Sequence, residues 1–87
     1  MAKPVNFYCH GTSDSKSVRL VGNFNNWDIN STPMNRQPDG CWFVQVSLTH
    51  GHHQYLFIVD GEPQLDPKAS GIARNDQNEQ VSLIAVS

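Results

Sequence analysis

The 87-residue sequence predicts an all-β protein, an antiparallel β-sandwich made of short strands. Six or seven segments rich in β-branched and aromatic residues follow one another at regular spacing, with glycine, proline, asparagine and aspartate between them. These intervening residues favour turns. No segment combines the helical apolar period of about 3.6 residues with capping residues. A series of short strands joined by turns is typical of two packed antiparallel sheets.

Three strands are predicted in the N-terminal half, at residues 4–9, 18–21 and 42–48. The last is the clearest, because its apolar side chains recur at every second position and share one face of the strand. These side chains are Trp42, Val44, Val46 and Leu48. In the first strand, Val5 and Phe7 are expected on one face and Tyr8 on the other. Trp42 is therefore expected in the core.

Polar segments separate these strands. Residues 10–16 are predicted to form a turn, and residues 28–39 a long irregular connection with a short edge strand near residues 34–37. This connection ends in the sequence Pro-Asp-Gly at residues 38–40. Proline presets one dihedral angle of a turn and glycine accepts a positive φ, so this tripeptide indicates a tight turn before the next strand.

The C-terminal half contains a central strand and a final strand. Residues 54–59 are nearly all apolar or aromatic, which favours a strand inside the sheet. Asp60-Gly61, a common hairpin dipeptide, closes it. Residues 62–78 are polar and are predicted to form an extended loop with at most a short strand around residues 64–65. The final strand is predicted at residues 81–86.

Length and charge exclude several classes of function. The chain is expected to form one domain, residues 1–87, and its formal net charge is −2 without a basic stripe. We therefore expect no nucleic-acid partner. No apolar run approaches the roughly 18 residues of a membrane span, and no secretory signal is visible. We expect no membrane partner and a cytoplasmic location.

The segment VRLVGNFNNW, residues 18–27, is the part of the sequence on which the predicted function mainly depends. It begins as a strand, breaks at Gly22, and continues through Asn25 and Asn26 to Trp27. Asparagine favours loops because its side chain bonds the local backbone and tolerates unusual dihedral angles. Trp27 is therefore expected in or beside a loop at the end of a strand. Its indole is either a surface on which a ligand stacks or a plug beneath the loop.

Other reactive residue types have simpler structural explanations. Cys9 and Cys41 lie in or beside strand-like segments, which favours two buried, reduced thiols over a disulfide or a nucleophile. Asp60 and Asp66 each fit a turn better than the acid and base of a glycosidase.

The motif His-x-His-His at residues 50–53 has imidazoles that could bind a metal, but surface or turn histidines are favoured. No Gly-rich phosphate loop or Ser/His/Asp arrangement is visible. We expect no catalytic residue, no metal and no cofactor, and we expect that the protein is not an enzyme.

Five motifs in order resemble carbohydrate-binding module family 48. They are GNFNNW, DGCWFVQVSL, GHHQYLFIVDG, LDP and the pattern RND…N…VSL. The family includes the N-terminal early-set domain of isoamylases and glycogen-branching enzymes and the glycogen-binding domain of the AMP-activated protein kinase β subunit. The resemblance implies an immunoglobulin-like (early-set) sandwich of about seven strands. The sequence DPKASGIARND is more similar to the isoamylase and branching-enzyme group. The chain has no room for the catalytic barrel that follows this domain in those enzymes, so we expect a free-standing domain of the bacterial type.

Only some of the family's sugar-binding residues have counterparts in this sequence. The loop tryptophan is present as Trp27, but the sugar-contacting lysine of the kinase domain falls at Leu56 and its second stacking tryptophan at or near Pro63. An asparagine near the C-terminal strand corresponds to Asn78, or to Asn75. The carbohydrate-binding residues that we expect are Trp27, Asn26, Gln54, Leu56, Asn75 and Asn78.

Two functions are compatible with this sequence. The first is a weak, non-catalytic module that binds an α-1,4-glucan oligosaccharide or polymer such as glycogen through Trp27 and nearby polar groups. The second is a structural or protein-interaction sandwich that has lost the sugar site, as the missing lysine and second tryptophan suggest. A glycogen- or starch-metabolising enzyme, or a second copy of the chain, is a further candidate partner, since clustering weak sites raises avidity.

Overall fold

The computed structural model describes residues 2–10 and 15–87, and these form eight β-strands. The strands are β1 (Lys3–Cys9), β2 (Val18–Gly22), β3 (Asn35–Arg36), β4 (Trp42–Leu48), β5 (Gly51–Val59), β6 (Glu62–Gln64), β7 (Gly71–Arg74) and β8 (Gln80–Val86). All strand pairs are antiparallel, and they form two sheets. The predicted antiparallel β-sandwich is confirmed.

The three-stranded sheet has the order β1-β4-β3. Phe7 pairs with Val44 and Cys9 with Trp42 along β1 and β4. The five-stranded sheet has the order β2-β5-β8-β7, with β6 also paired to β5. One side of β5 pairs with β8 in its first half and with β6 in its second half, while β2 lies on the other side. The long strand β5 is therefore the centre of this sheet.

The hydrophobic core lies between the two sheets. Its aromatic centre is formed by Phe7 and Tyr55, whose ring centroids are 5.0 Å apart in an edge-to-face arrangement, and by Phe57 next to Tyr55. Edge-to-face contacts of this kind add to the stabilisation from burial. Trp42 is also part of the core cluster, as the sequence predicts.

A short segment connects the sheets. The Leu20 N–H donates to Thr32 O at 3.0 Å, and the Met34 N–H donates to Val18 O at 2.9 Å, so the chain first runs along the edge of β2. The next residues form β3 and pair with β4 in the other sheet. Residues 32–36 therefore join the two sheets, and Met34 is buried in the core between them.

The structure differs from the sequence-based prediction mainly in residues 62–78. This segment was expected to be mostly loop, but it contains β6 and β7. Both strands are largely solvent-exposed, and β7 is at the edge of its sheet, so neither needs the apolar pattern that reveals a central strand. β5 also begins three residues before the predicted strand. Residues 11–14 of the predicted turn lie outside the described residues.

The Asp60-Gly61 hairpin was predicted correctly. Both residues have positive φ, 50° and 87°, as a two-residue hairpin turn requires, and Val59 pairs with Glu62 across it. Within the described part of the chain, no helix is long and apolar enough to cross a bilayer.

Candidate functional site

The outer face of the five-stranded sheet carries apolar residues at one end. Val21 pairs with Leu56 across β2 and β5, and Ala73 pairs with Val81 across β7 and β8. Val21 and Val81 are buried, yet neither belongs to the core cluster between the sheets. Their side chains therefore lie on the outer face of the sheet and are covered there, close to the loop after β2 and the turn before β8. The candidate site lies at this end of the sheet.

Asn25 holds the loop after β2 in place. Its Oδ1 accepts the Gly22 N–H at 3.0 Å, and its Nδ2 donates to Leu20 O and to Thr32 Oγ1, each at 3.1 Å. The Trp27 N–H in turn donates to Gly22 O at 2.9 Å. Asparagine is suited to this role because its amide both donates and accepts. The Asn25 clasp therefore fixes the position from which Trp27 projects.

The same loop is attached to β5. The Asn23 N–H donates to Gln54 O at 3.0 Å, and Asn23 Oδ1 accepts the Gln54 N–H at 3.3 Å. Gly22 is needed for this close approach. A Cβ atom at Gly22 would lie 2.5 Å from Gln54 O and 2.5 Å from a ring carbon of Phe24.

Trp27 is presented in an unusual backbone conformation. Asn26 and Trp27 have φ values of 58° and 57°, in the left-handed region that bulky residues rarely adopt. Trp27 is 36% exposed. Strained residues of this kind persist where the surrounding structure fixes them, and they are concentrated at functional sites. The indole is therefore a held, accessible surface and is not a core plug.

The turn before β8 forms the opposite wall, and Asn75 organises it. Asn75 Oδ1 accepts the N–H groups of Gln77 at 3.0 Å and Glu79 at 2.9 Å, and the Asn78 N–H donates to Asn75 O at 2.9 Å. Asn78 has a φ of 64°, and its carbonyl oxygen accepts a bond from Arg74 Nη1 at 2.7 Å. Residues 75–79 are thus a compact turn with several polar side chains.

Between the loop and the turn lies an open cleft of about 380 Å³, here called the Trp27 cleft. Its lining residues are Trp27, Leu56, Asn75, Asp76, Gln77 and Glu79. The indole and Leu56 supply an apolar floor, and the turn supplies amide and carboxylate groups. This combination suits a neutral ligand with both apolar C–H faces and hydroxyl groups.

Three of the six expected carbohydrate-binding residues line this cleft, namely Trp27, Leu56 and Asn75. The other three, Asn26, Gln54 and Asn78, lie close to it along the chain but do not line it. Their assignment as sugar ligands stays a prediction. Because Asn75 Oδ1 already accepts two backbone N–H groups, the group of this side chain left for a ligand is its amide NH₂.

Asp76, Gln77 and Glu79 also line the cleft but were not predicted from the sequence. The polar run RNDQNE was visible, but which of its side chains face the cleft depends on the turn that Asn75 forms. A signal was present, since an asparagine followed by polar residues just before a strand favours a turn.

The two family positions that differ here lie on the same outer face. Leu56 lines the cleft, and Pro63 pairs with Ile58, two residues further along β5. Pro63 is exposed. The face therefore has an apolar side chain and a proline where the family resemblance implies a lysine and a second tryptophan.

Asp66 and Asp60 are both engaged in the fold. Tyr55 Oη donates to Asp66 Oδ2 at 2.6 Å, and burial, followed by this hydrogen bond, raises the pKa of Tyr55. Asp60 Oδ1 accepts the N–H groups of Ser17 at 2.9 Å and Lys16 at 2.8 Å, and these bonds lower the pKa of Asp60. Neither aspartate lines the Trp27 cleft.

The two cysteines are buried and free. Burial, followed by the charge of Asp66 and by Cys41, raises the pKa of Cys9 to about 11, so at neutral pH its thiol is protonated and a poor nucleophile. Within residues 2–10 and 15–87, no three histidine, cysteine, aspartate or glutamate side chains are grouped so that they could hold a metal ion.

Comparison with known proteins gives consistent matches. A sequence model of the family described as "Glycogen recognition site of AMP-activated protein kinase" matches residues 4–87. The 5'-AMP-activated protein kinase subunit beta-1 of Sus scrofa is 42% identical over 57 residues, which cover 64% of this chain and 43% of that protein. The corresponding Homo sapiens subunit is 42% identical over 57 residues, covering 64% of this chain and 20% of that protein.

A 1,4-alpha-glucan branching enzyme from Aquifex aeolicus is 34% identical over 68 residues, which cover 74% of this chain and 11% of that enzyme. The chain therefore spans less than half the length of each of these three relatives.

Proposed function

The chain belongs to the family of the glycogen recognition site of AMP-activated protein kinase, and we propose that it is a non-catalytic α-glucan-binding module whose sugar site is the Trp27 cleft. The observation that carries this proposal is the accessible Trp27 indole, held in a left-handed conformation beside Leu56 and the polar turn at residues 75–79. An indole fixed in this way loses little conformational entropy when a ligand stacks on it.

The chemistry of the cleft fits a chain of glucose units. The flat face of a glucose ring presents C–H bonds, which pack against an apolar aromatic surface. The carboxylates of Asp76 and Glu79 accept hydrogen bonds from sugar hydroxyls, and the amide of Gln77 both donates and accepts. Among the described residues that line the cleft, none is basic, which disfavours an anionic ligand. A neutral polyol is therefore the preferred ligand class.

Binding by one molecule is expected to be weak. Leu56 provides no charged donor, and Pro63 provides no second aromatic ring on the outer face. One aromatic platform contributes about 1–1.5 kcal/mol, which corresponds to roughly tenfold in affinity. Partners such as a glycogen- or starch-metabolising enzyme, or a second copy of the chain, would raise the effective affinity by bringing several sites together.

The same proposal includes a cytoplasmic location, a bacterial origin and the absence of catalysis. The absence of catalysis is supported by the protonated Cys9 thiol and by the structural roles of Asp60 and Asp66. The competing function is a protein-interaction sandwich without a sugar site. The residues at positions 56 and 63 favour this second candidate, because they remove two groups that the family resemblance implies.

An NMR titration with maltoheptaose distinguishes the two functions. The chain has two tryptophans, so two indole N–H signals are expected. Saturable shifts of the Trp27 signal are expected at millimolar sugar, because the ligand shields the indole. The Trp42 signal is expected to stay fixed, since its Nε1 is buried and Trp42 does not line the cleft.

The variant Trp27→Ala should abolish the response of the cleft. Ile72→Ala is the matched control, because Ile72 is a large exposed apolar residue on β7 that does not line the cleft. It should bind as the unmodified protein does. If neither indole of the folded protein responds to the sugar, the α-glucan proposal is wrong and the interaction module is the better account.

A further inference from the structure

The outer face of the three-stranded sheet is a second accessible surface, distinct from the Trp27 cleft. Side chains alternate along β1 and β4, so every second cross-strand pair faces away from the core. The outward pairs are Pro4–Ser47, Asn6–Gln45 and Tyr8–Phe43. Asn35 of β3 pairs with Phe43 and extends the last row. This face combines aromatic and amide side chains.

An aromatic pair lies at one end of this face. The ring centroids of Tyr8 and Phe43 are 5.1 Å apart, and the ring planes are inclined by 43°. Tyr8 is 51% exposed, which is unusual for a large aromatic residue on a short strand. The pair borders an open cleft of about 430 Å³, whose lining residues are Tyr8, Gln37, Pro38, Asp39, Cys41 and Phe43. We name the aromatic pair together with this cleft the Tyr8–Phe43 surface.

The groups beside the aromatic pair are mostly neutral hydrogen-bonding groups. Gln45 Nε2 donates to Asn6 Oδ1 at 2.9 Å, which fixes both amides and leaves Gln45 Oε1 as an acceptor and Asn6 Nδ2 as a donor. Asp39 is the one charged side chain among the described residues that line this surface. Its Oδ1 accepts the Cys41 N–H at 2.9 Å.

We propose that the Tyr8–Phe43 surface is a second α-glucan-binding site and that one molecule bridges two glucan chains. Its ligand class rests on the function proposed for the Trp27 cleft. The two rings offer apolar faces to successive sugar units, and the fixed amides bind hydroxyl groups. A glucan is favoured over a protein partner because the aromatic pair is flanked by the amides of Asn6, Gln45 and Asn35, which match the hydroxyl groups of a sugar.

The two sites face in opposite directions. The Trp27 cleft lies on the outer face of the five-stranded sheet, the Tyr8–Phe43 surface on the outer face of the three-stranded sheet, and the hydrophobic core lies between them. A short oligosaccharide on one face therefore does not reach the other. Two weak sites of this kind join separate chains of a branched polymer and gain avidity from doing so.

The first test is the titration with maltoheptaose followed at backbone amides. Saturable shifts are expected at residues 6, 8, 43 and 45 as well as at the Trp27 indole. In Trp27→Ala, the shifts at the Tyr8–Phe43 surface should persist. Because each site is expected to bind sugar independently, the Trp27→Ala titration tests the second site separately from the Trp27 cleft.

The second test measures cross-linking of glycogen by light scattering. Scattering should rise with added protein and fall again at excess protein, when each chain is saturated. Tyr8→Ser removes an exposed ring and should weaken binding at this surface about tenfold, abolishing the rise while the Trp27 indole still responds to maltoheptaose. Ile72→Ser is the matched control, because it removes an exposed apolar side chain outside both sites.

If Tyr8→Ser cross-links glycogen as strongly as the unmodified protein, or if the four amides stay unshifted at saturating sugar, the second site does not exist. Scattering that survives Tyr8→Ser but is lost in Trp27→Ala would show that the Trp27 cleft of an associated protein joins the chains. Loss of cross-linking in both single variants, with Ile72→Ser unaffected, is the result that the proposal requires.

Discussion

Trp27 and Asn26 adopt a destabilising backbone conformation that places the Trp27 indole at the surface. Both have φ near 57°, a conformation that costs roughly 1–2 kcal/mol for a residue with a Cβ atom. Asparagine tolerates it, because its short side chain bonds the local backbone, whereas tryptophan has no such compensation. The Asn25 clasp and the Trp27 N–H bond to Gly22 O hold the conformation in place. The Trp27 backbone is therefore a site of stored strain.

A pair of substitutions at Trp27 measures this strain. Trp27→Gly and Trp27→Ala both remove the indole, but only glycine adopts positive φ without a steric cost. Glycine loses about 0.5–1 kcal/mol more conformational entropy on folding, which offsets part of the gain. Trp27→Gly is expected to be about 0.5–1 kcal/mol more stable than Trp27→Ala in urea unfolding, and neither should bind maltoheptaose at the cleft. Equal or reversed stabilities would show that the loop relaxes and stores no strain.

The sequence predicted part of the site at the scale of single residues. The expectation that Trp27 lies in a loop followed from the strand break at Gly22 and from the asparagines. Asp76 and Glu79 were not predicted, because their positions depend on the hydrogen bonds that Asn75 Oδ1 accepts within the turn. Such local geometry involves side-chain to backbone bonds that apolar periodicity does not reveal.

At the scale of elements, apolar patterning explains which strands were predictable. β4 was predicted with its observed bounds, because its alternating apolar residues face the core. β7 was missed, since an exposed edge strand of four residues has neither a continuous apolar run nor a complete alternation. β6 was expected as at most a short strand, and Pro63 within it is compatible with its short pairing to β5.

β6 also offers a way to strengthen the site. Pro63 lies across from Ile58 on the outer face that carries the Trp27 cleft. Pro63→Trp adds an aromatic ring to this face and should tighten maltoheptaose binding about tenfold. Ile72→Trp is the matched control, since it adds an exposed indole on β7 outside the cleft, and its affinity should stay unchanged. If both variants tighten binding equally, added aromatic surface acts non-specifically and the cleft does not explain the gain.

The whole molecule is organised around β5. This strand has hydrogen-bonded partners on both sides, and its residues Tyr55, Phe57 and Val59 are buried in the core. β7 lies at the sheet edge with half of its residues exposed. Amide exchange is limited by opening, and buried central strands open least often. The fold class was predictable for the same reason, because the buried strands carry the strongest apolar pattern.

Hydrogen exchange should follow this arrangement. The amides of residues 55–59 are expected to be the slowest in the protein, and those of residues 71–74 are expected to exchange much faster. NMR exchange at neutral pH measures both sets in one sample. Comparable protection of the two segments would mean that the five-stranded sheet opens as one cooperative unit.

The Asn25 clasp has a consequence for the time that a glucan stays bound. Its bonds to Gly22, Leu20 and Thr32 hold the indole loop in its binding conformation before any sugar arrives. Under the proposed function, capture needs no rearrangement of this loop and is limited by diffusion and orientation. Weak binding is then expressed in rapid release. If the Trp27 cleft binds glucans as proposed, the module has a short residence time on each chain. It then samples many chains of a branched polymer in succession, and remains with the particle while leaving every individual chain quickly.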